Sequence, residues 1–138
     1  MEHIFEEKVY YADTDAYGVV WHGTYLRWLE KGRVMFCEDL GLSLTELSKN
    51  DIALPVASVS VKYKASAKLE DNIVISSKVT KITPIAITFT QTISEKGTGR
   101  VFVVAVVVVV AVSNVGKLYR RLPEAITKSF NEDILCNA

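Results

Sequence analysis

From Val101 to Val112 every position of the chain is apolar. The run is far short of the roughly 20 residues a membrane-spanning helix needs, and its valine-rich composition favours an extended strand. No alternation separates an inner from an outer side, so the pattern predicts a strand buried on both faces. One helix packed on a sheet covers only one face. A long apolar strand left open on the other would be an aggregation hazard. The run therefore predicts that another copy of the chain covers it, in a homodimer or homotetramer.

The preceding sequence supplies the neighbours of that strand. Val59, Val61 and Tyr63 alternate with Ser58, Ser60, Lys62 and Lys64, the pattern of an antiparallel strand with one buried face. Ile73, Ile75, Ser77 and Val79 mark a second strand, and Ile85, Ile87, Phe89, Gln91 and Ile93 a third, joined to the apolar run by a hairpin loop at 94–99. Residues Ile4 to Tyr11 read as a first strand. Between Gly23 and Leu40, apolar residues at 25, 26, 28, 29, 35, 36 and 40 have helical spacing. Gly32, inside that helix, costs roughly 1 kcal/mol relative to alanine, which implies close approach to a sheet. Gly41 is its expected C-cap, and Ser43 with Glu46 signals a short second helix to Lys49. These elements in 138 residues predict one α+β domain over 1–138, an antiparallel sheet wrapped around a long helix.

The loop before the helix carries the chemistry. Asp15, Ala16, Tyr17, Gly18, Val19, Val20, Trp21, His22 and Gly23 lead straight into the helix start. Attack on an acyl carbonyl needs an oxygen that attacks or activates water, and donors for the developing oxyanion. A carboxylate supplies the first, and the unpaired N–H groups of a helix N-terminus supply the second. Gly18 permits a tight turn and close approach of a ligand, and Gly23 is expected to keep the helix entrance free of a side chain. Asp and Gly also suit a plain turn or cap, so this pattern alone leaves both readings open. Tyr11, Tyr17, Trp21 and Tyr25 flank Asp15 and predict an aromatic-lined acyl pocket.

Over a wider window, Tyr10-Tyr11-Ala12-Asp13-Thr14-Asp15, Gly18-Val19-Val20, His22, Tyr25-Leu26, Trp28 and residues 30–33 resemble the signature of the 4-hydroxybenzoyl-CoA thioesterase family of hotdog-fold proteins, in particular its Tol–Pal-associated acyl-CoA thioesterase branch. Leu54-Pro55, Val61-Lys62-Tyr63, Leu69-Glu70-Asp71 and Arg121-Leu122-Pro123 extend the similarity along nearly the whole chain. The resemblance implies a hotdog fold, dimers often paired into tetramers, and hydrolysis of acyl-CoA to free acid and coenzyme A without cofactor or metal. It places the catalytic carboxylate at Asp15, leaves Asp13 secondary, assigns Tyr11 to the pocket, and makes the His22 backbone N–H the group that polarises the thioester carbonyl. The His22 side chain is left between orienting water, protonating the departing thiolate and packing. Lys64-Ala65-Ser66-Ala67 replaces the family's proline after Tyr63, and Glu70 stands where glycine is common, so the turn beside the pantetheine channel departs from the pattern.

The phosphates of coenzyme A must meet cations, for which Lys62, Lys64, Lys78 and Lys81 are the strand candidates, though each also suits a solvated surface. Glu30 and Arg33 read as an i,i+3 ion pair rather than a second catalytic acid and its partner. Arg27, Lys31 and Arg33 would form the basic patch that an acyl carrier protein substrate requires. That substrate is one alternative, and a non-catalytic acyl-thioester-binding module is another, against which Asp15 and Gly18 argue. Cys37 reads as buried packing. His3, His22, Cys37 and Cys136 are too scattered for a metal site, so no metal is expected. The 16 basic residues balance the 16 acidic ones, which implies neither nucleic acid nor anionic membrane as a partner, and no segment predicts stable membrane insertion. The acidic stretch at 1–7 lacks the basic-then-apolar pattern of a signal peptide, so a cytoplasmic location is expected.

Overall fold

Alternation in the sequence becomes one five-stranded antiparallel sheet. The computed structural model describes residues 1–137, with strands β1 (Glu2–Lys8), β2 (Val56–Tyr63), β3 (Asn72–Ile82), β4 (Ala86–Glu95) and β5 (Val101–Val110). Their spatial order is β1-β3-β4-β5-β2, every neighbouring pair antiparallel. The long helix α1 (His22–Asp39) lies against β1, β3 and β4, followed by α2 (Leu44–Lys49) and, near the end, α3 (Glu124–Thr127). This is the α+β hotdog arrangement.

Gly32 sets how closely the helix seats. A Cβ there would lie 2.7 Å from Ser77 Oγ, 3.1 Å from Gln91 Nε2 and 3.3 Å from Ile75 Cγ2. Ser77 and Gln91 are fully buried beneath it. Gln91 Nε2 donates to Leu29 O (2.9 Å) and Ser77 Oγ (2.8 Å), and its Oε1 accepts from Arg33 Nη1 (3.0 Å). Both amide hydrogens and the oxygen are thus satisfied, as burial demands. Toward the helix C-terminus, Phe36, Phe89 and Phe130 form a ring cluster with centroids 5.5–6.2 Å apart. Each buried ring contributes roughly 1.5–3 kcal/mol. Gly41 then ends the helix at φ +79, with Leu42 N–H donating to Cys37 O (2.9 Å) and Gly41 N–H to Glu38 O (2.9 Å), a Schellman cap. Ser43 Oγ caps α2 by accepting from Glu46 N–H at 3.0 Å.

Several expectations change. The first strand stops at Lys8, because Tyr10 N–H donates to Asp13 Oδ2 (2.9 Å) and Tyr11–Asp13 turn as a 3₁₀ segment. Strand β2 is exposed along nearly its whole length rather than buried on one face: it is an outer edge, and α1 does not extend over it. On β5, Val103, Ala105, Val107 and Val109 are buried, but Val104, Val106, Val108 and Val110 lie on the other face, where no layer of this chain packs and Val106 is 40% exposed. One chain therefore buries only one side of the apolar run. Glu30 and Arg33 form no ion pair among the described residues; Arg33 turns inward to Gln91 instead, and burial lowers its pKa below the ordinary guanidinium value. No periodicity marks the C-terminal segment, which nonetheless buries Ile126, Phe130 and Ile134.

Candidate active site

Asp15 begins a three-residue hairpin loop. Its N–H donates to Val19 O (2.9 Å), its carbonyl accepts from Gly18 N–H (3.0 Å), and Gly18 closes the turn at φ +76. Bridges between Thr14 and Val20 and between Val19 and Lys68 hold the loop on both sides. Asp15 Oδ1 accepts from Tyr17 N–H at 2.9 Å, and Oδ2 has no protein donor among the described residues. Asp13 is structural: beyond its cap on Tyr10, its carbonyl accepts from Trp21 N–H (2.9 Å) and Thr24 Oγ1 (3.2 Å), tying the loop to the helix start.

The helix opens at His22 with Trp21 as N-cap, a residue whose side chain makes no capping hydrogen bond. Among the described residues no acceptor meets the backbone N–H of His22 or Gly23. These free donors sit at the positive end of an 18-residue helix. Asp15, His22, Tyr25, Tyr63, Ala65 and Ser66 line one cavity of about 350 Å³. Two further cavities flank α1, one of about 300 Å³ beside Arg33 and Cys37 and one of about 510 Å³ beside Arg27 and Lys31. Only the first joins a carboxylate oxygen without a protein donor to a helix N-terminus, so the chemistry selects it.

Tyr25 is buried, its Oη accepting from Ala67 N–H at 2.9 Å, and burial raises its pKa above the ordinary phenol value. Tyr63 lies 5.8 Å from the Tyr25 ring and 6.3 Å from the His22 ring, and its hydroxyl donates to His22 O at 3.5 Å. Neither Tyr63 nor Ser66 carries a local site signal in the sequence: Tyr63 lies within the Val61-Lys62-Tyr63 similarity, and Ser66 in the segment that replaces the family's proline. They reach the cavity because the outer strand β2 ends beside the start of α1.

The four rings expected around Asp15 are not gathered into one cleft within the chain. Tyr25 lines the cavity, whereas Tyr11 and Tyr17 are 81% and 90% exposed. The half-exposed Trp21 folds over Gly23, where a Cβ would lie 2.2 Å from the indole. The glycine thus makes room for that ring instead of leaving the helix entrance open. Lys64 follows Tyr63 in the chain but is not among the residues that line the cavity. Lys62, opposite Val104, faces the other side of the sheet, and Lys78 lies 4.0 Å from Glu2. Lys81 stands at the far end of β3, roughly 30 Å along the strand from Asn72. Cys37 is buried and its thiol is pushed up to about 11, which removes it as a nucleophile. Among the described residues no group of three His, Cys, Asp or Glu side chains could hold a metal, and no helix is long and apolar enough to cross a membrane.

Residues 9–130 match the profile of the thioesterase-like superfamily. The acyl-CoA thioester hydrolase YbgC of Escherichia coli O6:H1 is 32% identical over 125 residues, covering 91% of this chain and 92% of that protein. Among solved structures, Slr0204 of Synechocystis, a 1,4-dihydroxy-2-naphthoyl-CoA thioesterase, aligns with a TM-score of 0.84 at 24% identity, covering 94% of this chain and 95% of that one. A 4-hydroxybenzoyl-CoA thioesterase variant solved with 4-hydroxybenzoyl-CoA aligns with a TM-score of 0.82 at 17% identity, covering 94% and 99% of the two chains. At those identities the two structures speak to the fold alone.

Proposed function

The chain belongs to the thioesterase-like superfamily, and from that premise we propose that it hydrolyses acyl-CoA thioesters to a carboxylic acid and coenzyme A, with Asp15 as the acting carboxylate. The observation that carries this assignment is a single cavity shared by Asp15, one oxygen held by Tyr17 N–H and the other without a protein donor, and the start of α1. The thioester carbonyl oxygen lies against the N–H of His22, a residue that lines the cavity, where negative charge develops; a donor of this kind is worth roughly 10²–10³ in rate. The free Asp15 oxygen either attacks the carbonyl carbon, giving a mixed anhydride that water opens, or takes a proton from the water that attacks. In both routes the carbon–sulfur bond breaks and the sulfur leaves as a thiolate. The His22 imidazole, lining the same cavity, is the group that returns a proton to it.

Tyr25 and Tyr63 are the rings beside the acyl group, and Lys64 with Lys68 on the adjoining loop the cations for the coenzyme phosphates. Acyl carrier protein is the weaker substrate reading. Of its three docking cations, Lys31 is bonded to Glu7 and Arg33 to Gln91. Two features support a homodimer or homotetramer: the exposed edge of β2 and the valine face of β5, which no layer of this chain covers. Two free cysteines suit the reducing cytoplasm.

The test is thiol release from a panel of acyl-CoAs. Asp15→Asn should lower kcat by roughly 10²–10⁴-fold with the fold and KM little changed. A wild-type rate in that variant, with loss in Glu30→Gln, would move the catalytic acid to the helix.

A further inference from the structure

The balanced total charge conceals a local excess at the end of the sheet remote from Asp15. Beyond β5 the chain turns tightly, with Ser113 N–H donating to Lys117 O and Gly116 N–H to Ser113 O, both at 2.8 Å. Val115 at the tip is 91% exposed, and Leu118 is 55% exposed. Lys117, Arg120 and Arg121 are exposed, and none is in an ion pair among the described residues. Val115, Lys117, Leu118 and Arg120 surround a concavity of about 500 Å³. Its one acid, Asp51, braces the turn: Oδ1 accepts from Asn114 N–H (2.8 Å), and Asp51 O accepts from Tyr119 Oη (2.7 Å). Asn114 Nδ2 also donates to Ser48 O at 2.7 Å, so α2 holds the turn from behind. A braced turn that holds an apolar side chain out in water, with unpaired cations around it, is built to meet something both anionic and apolar.

We propose that this turn is a reversible contact for the surface of an anionic lipid bilayer. Lys117, Arg120 and Arg121 meet the headgroup phosphates, while Val115 and Leu118 enter the boundary with the acyl chains. A bilayer fits better than an acidic protein for two reasons. Val115 stands at the tip of the turn, 91% exposed at the rim of the concavity, where a flat surface reaches it more readily than a groove-seeking side chain would. A carrier protein, moreover, must dock where its thioester reaches the cavity, and this turn lies roughly 30 Å away along β5. Each cation near such a surface strengthens binding about fivefold, and salt weakens it.

The experiment is cosedimentation of the whole protein with vesicles of phosphatidylcholine alone or mixed with phosphatidylglycerol. The protein should pellet with the anionic vesicles, progressively less as salt rises, and not with the neutral ones. Lys117→Gln with Arg120→Gln should weaken that partition roughly thirtyfold. Val115→Asp should weaken it further, and neither change should alter hydrolysis of a soluble short-chain acyl-CoA. Failure to pellet with anionic vesicles, equal pelleting with neutral ones, or binding indifferent to both variants overturns the proposal. So does variant-sensitive binding to an acidic carrier protein without vesicle binding, which would assign the turn to a protein partner.

Discussion

Replacing Gly32 by alanine sets two opposing effects against each other at one atom. Removing glycine from a helix interior stabilises by about 1 kcal/mol. The added Cβ, however, would stand 2.7 Å from Ser77 Oγ, where ordinary contact begins at 3.4 Å. Ser77 cannot swing away freely, because its Oγ accepts from Gln91 Nε2, which also bonds Leu29 O on the same helix. Breaking that link leaves a buried donor unsatisfied at a cost of about 1–3 kcal/mol, and lifting the helix instead loses packing of similar size. The net expectation for Gly32→Ala is a loss of up to about 2 kcal/mol, read as a lower denaturant midpoint at unchanged slope. Ser77→Ala removes the clashing oxygen, so in the Gly32→Ala background it should cost less than alone, with a coupling above about 0.5 kcal/mol. Because α1 also carries the His22 and Gly23 donors, kcat/KM should fall along with stability. A Gly32→Ala protein about 1 kcal/mol more stable than the parent, the full helix-propensity gain with no offsetting clash, would show that helix and sheet do not approach this closely, and would refute the reasoning.

Glu70 occupies φ +71 in the turn where Asp71 N–H donates to Lys68 O, so Glu70→Gly should relieve about 1 kcal/mol of strain, partly offset by unfolded-state entropy; a lower unfolding midpoint would contradict this. The Cys37 thiol, pushed up to about 11 by burial, keeps its proton in the folded state after an unfolded thiol has lost it. Folding is therefore favoured below about pH 9, and about 2–3 kcal/mol is lost as pH rises from about 9 to 11, a loss that should vanish in Cys37→Ala when unfolding is followed against pH. Tyr63→Phe retains the ring against His22 and Tyr25 and should leave kcat/KM within about twofold, whereas Tyr63→Ala should lower it by about tenfold or more; equal losses would assign the role to the hydroxyl instead.

What the sequence showed best was what adjacent residues decide. Helical spacing, Gly41 and Ser43 located α1 within one residue at each end and placed the cap of α2, because those signals act within a turn or two of chain. Asp15 and the helix start were legible together because they are contiguous. Burial was less legible, since it depends on which element arrives from elsewhere. The alternation in β2 identifies a strand, but it cannot say that the strand is an outer edge which meets α1 at Tyr63. The Val101–Val112 run names two apolar faces, of which this chain covers one. Glu30 and Arg33 have the spacing of a pair, yet the buried Gln91 amide holds the guanidinium at 3.0 Å. Tyr63 and Ser66 were hidden for the same reason as the remoteness of Lys81. Local pattern identifies a strand but not which of its ends faces the site.

The strand order also bears on when the protein becomes an enzyme as it folds. Strands β3, β4 and β5 follow one another through short hairpins, but β1 joins β3 across the distance from Glu2 to Lys78, and β2 joins β5 across that from Val61 to Ala105. Closing such long intervals is slower and entropically harder than closing a hairpin. Each wall of the cavity arrives with one of these late outer strands, the Asp15 loop after β1 and Tyr63 at the end of β2. A folding intermediate with a complete central hairpin sheet would thus carry most of the strand signal and none of the catalysis, which makes turnover the stricter reporter of a finished fold.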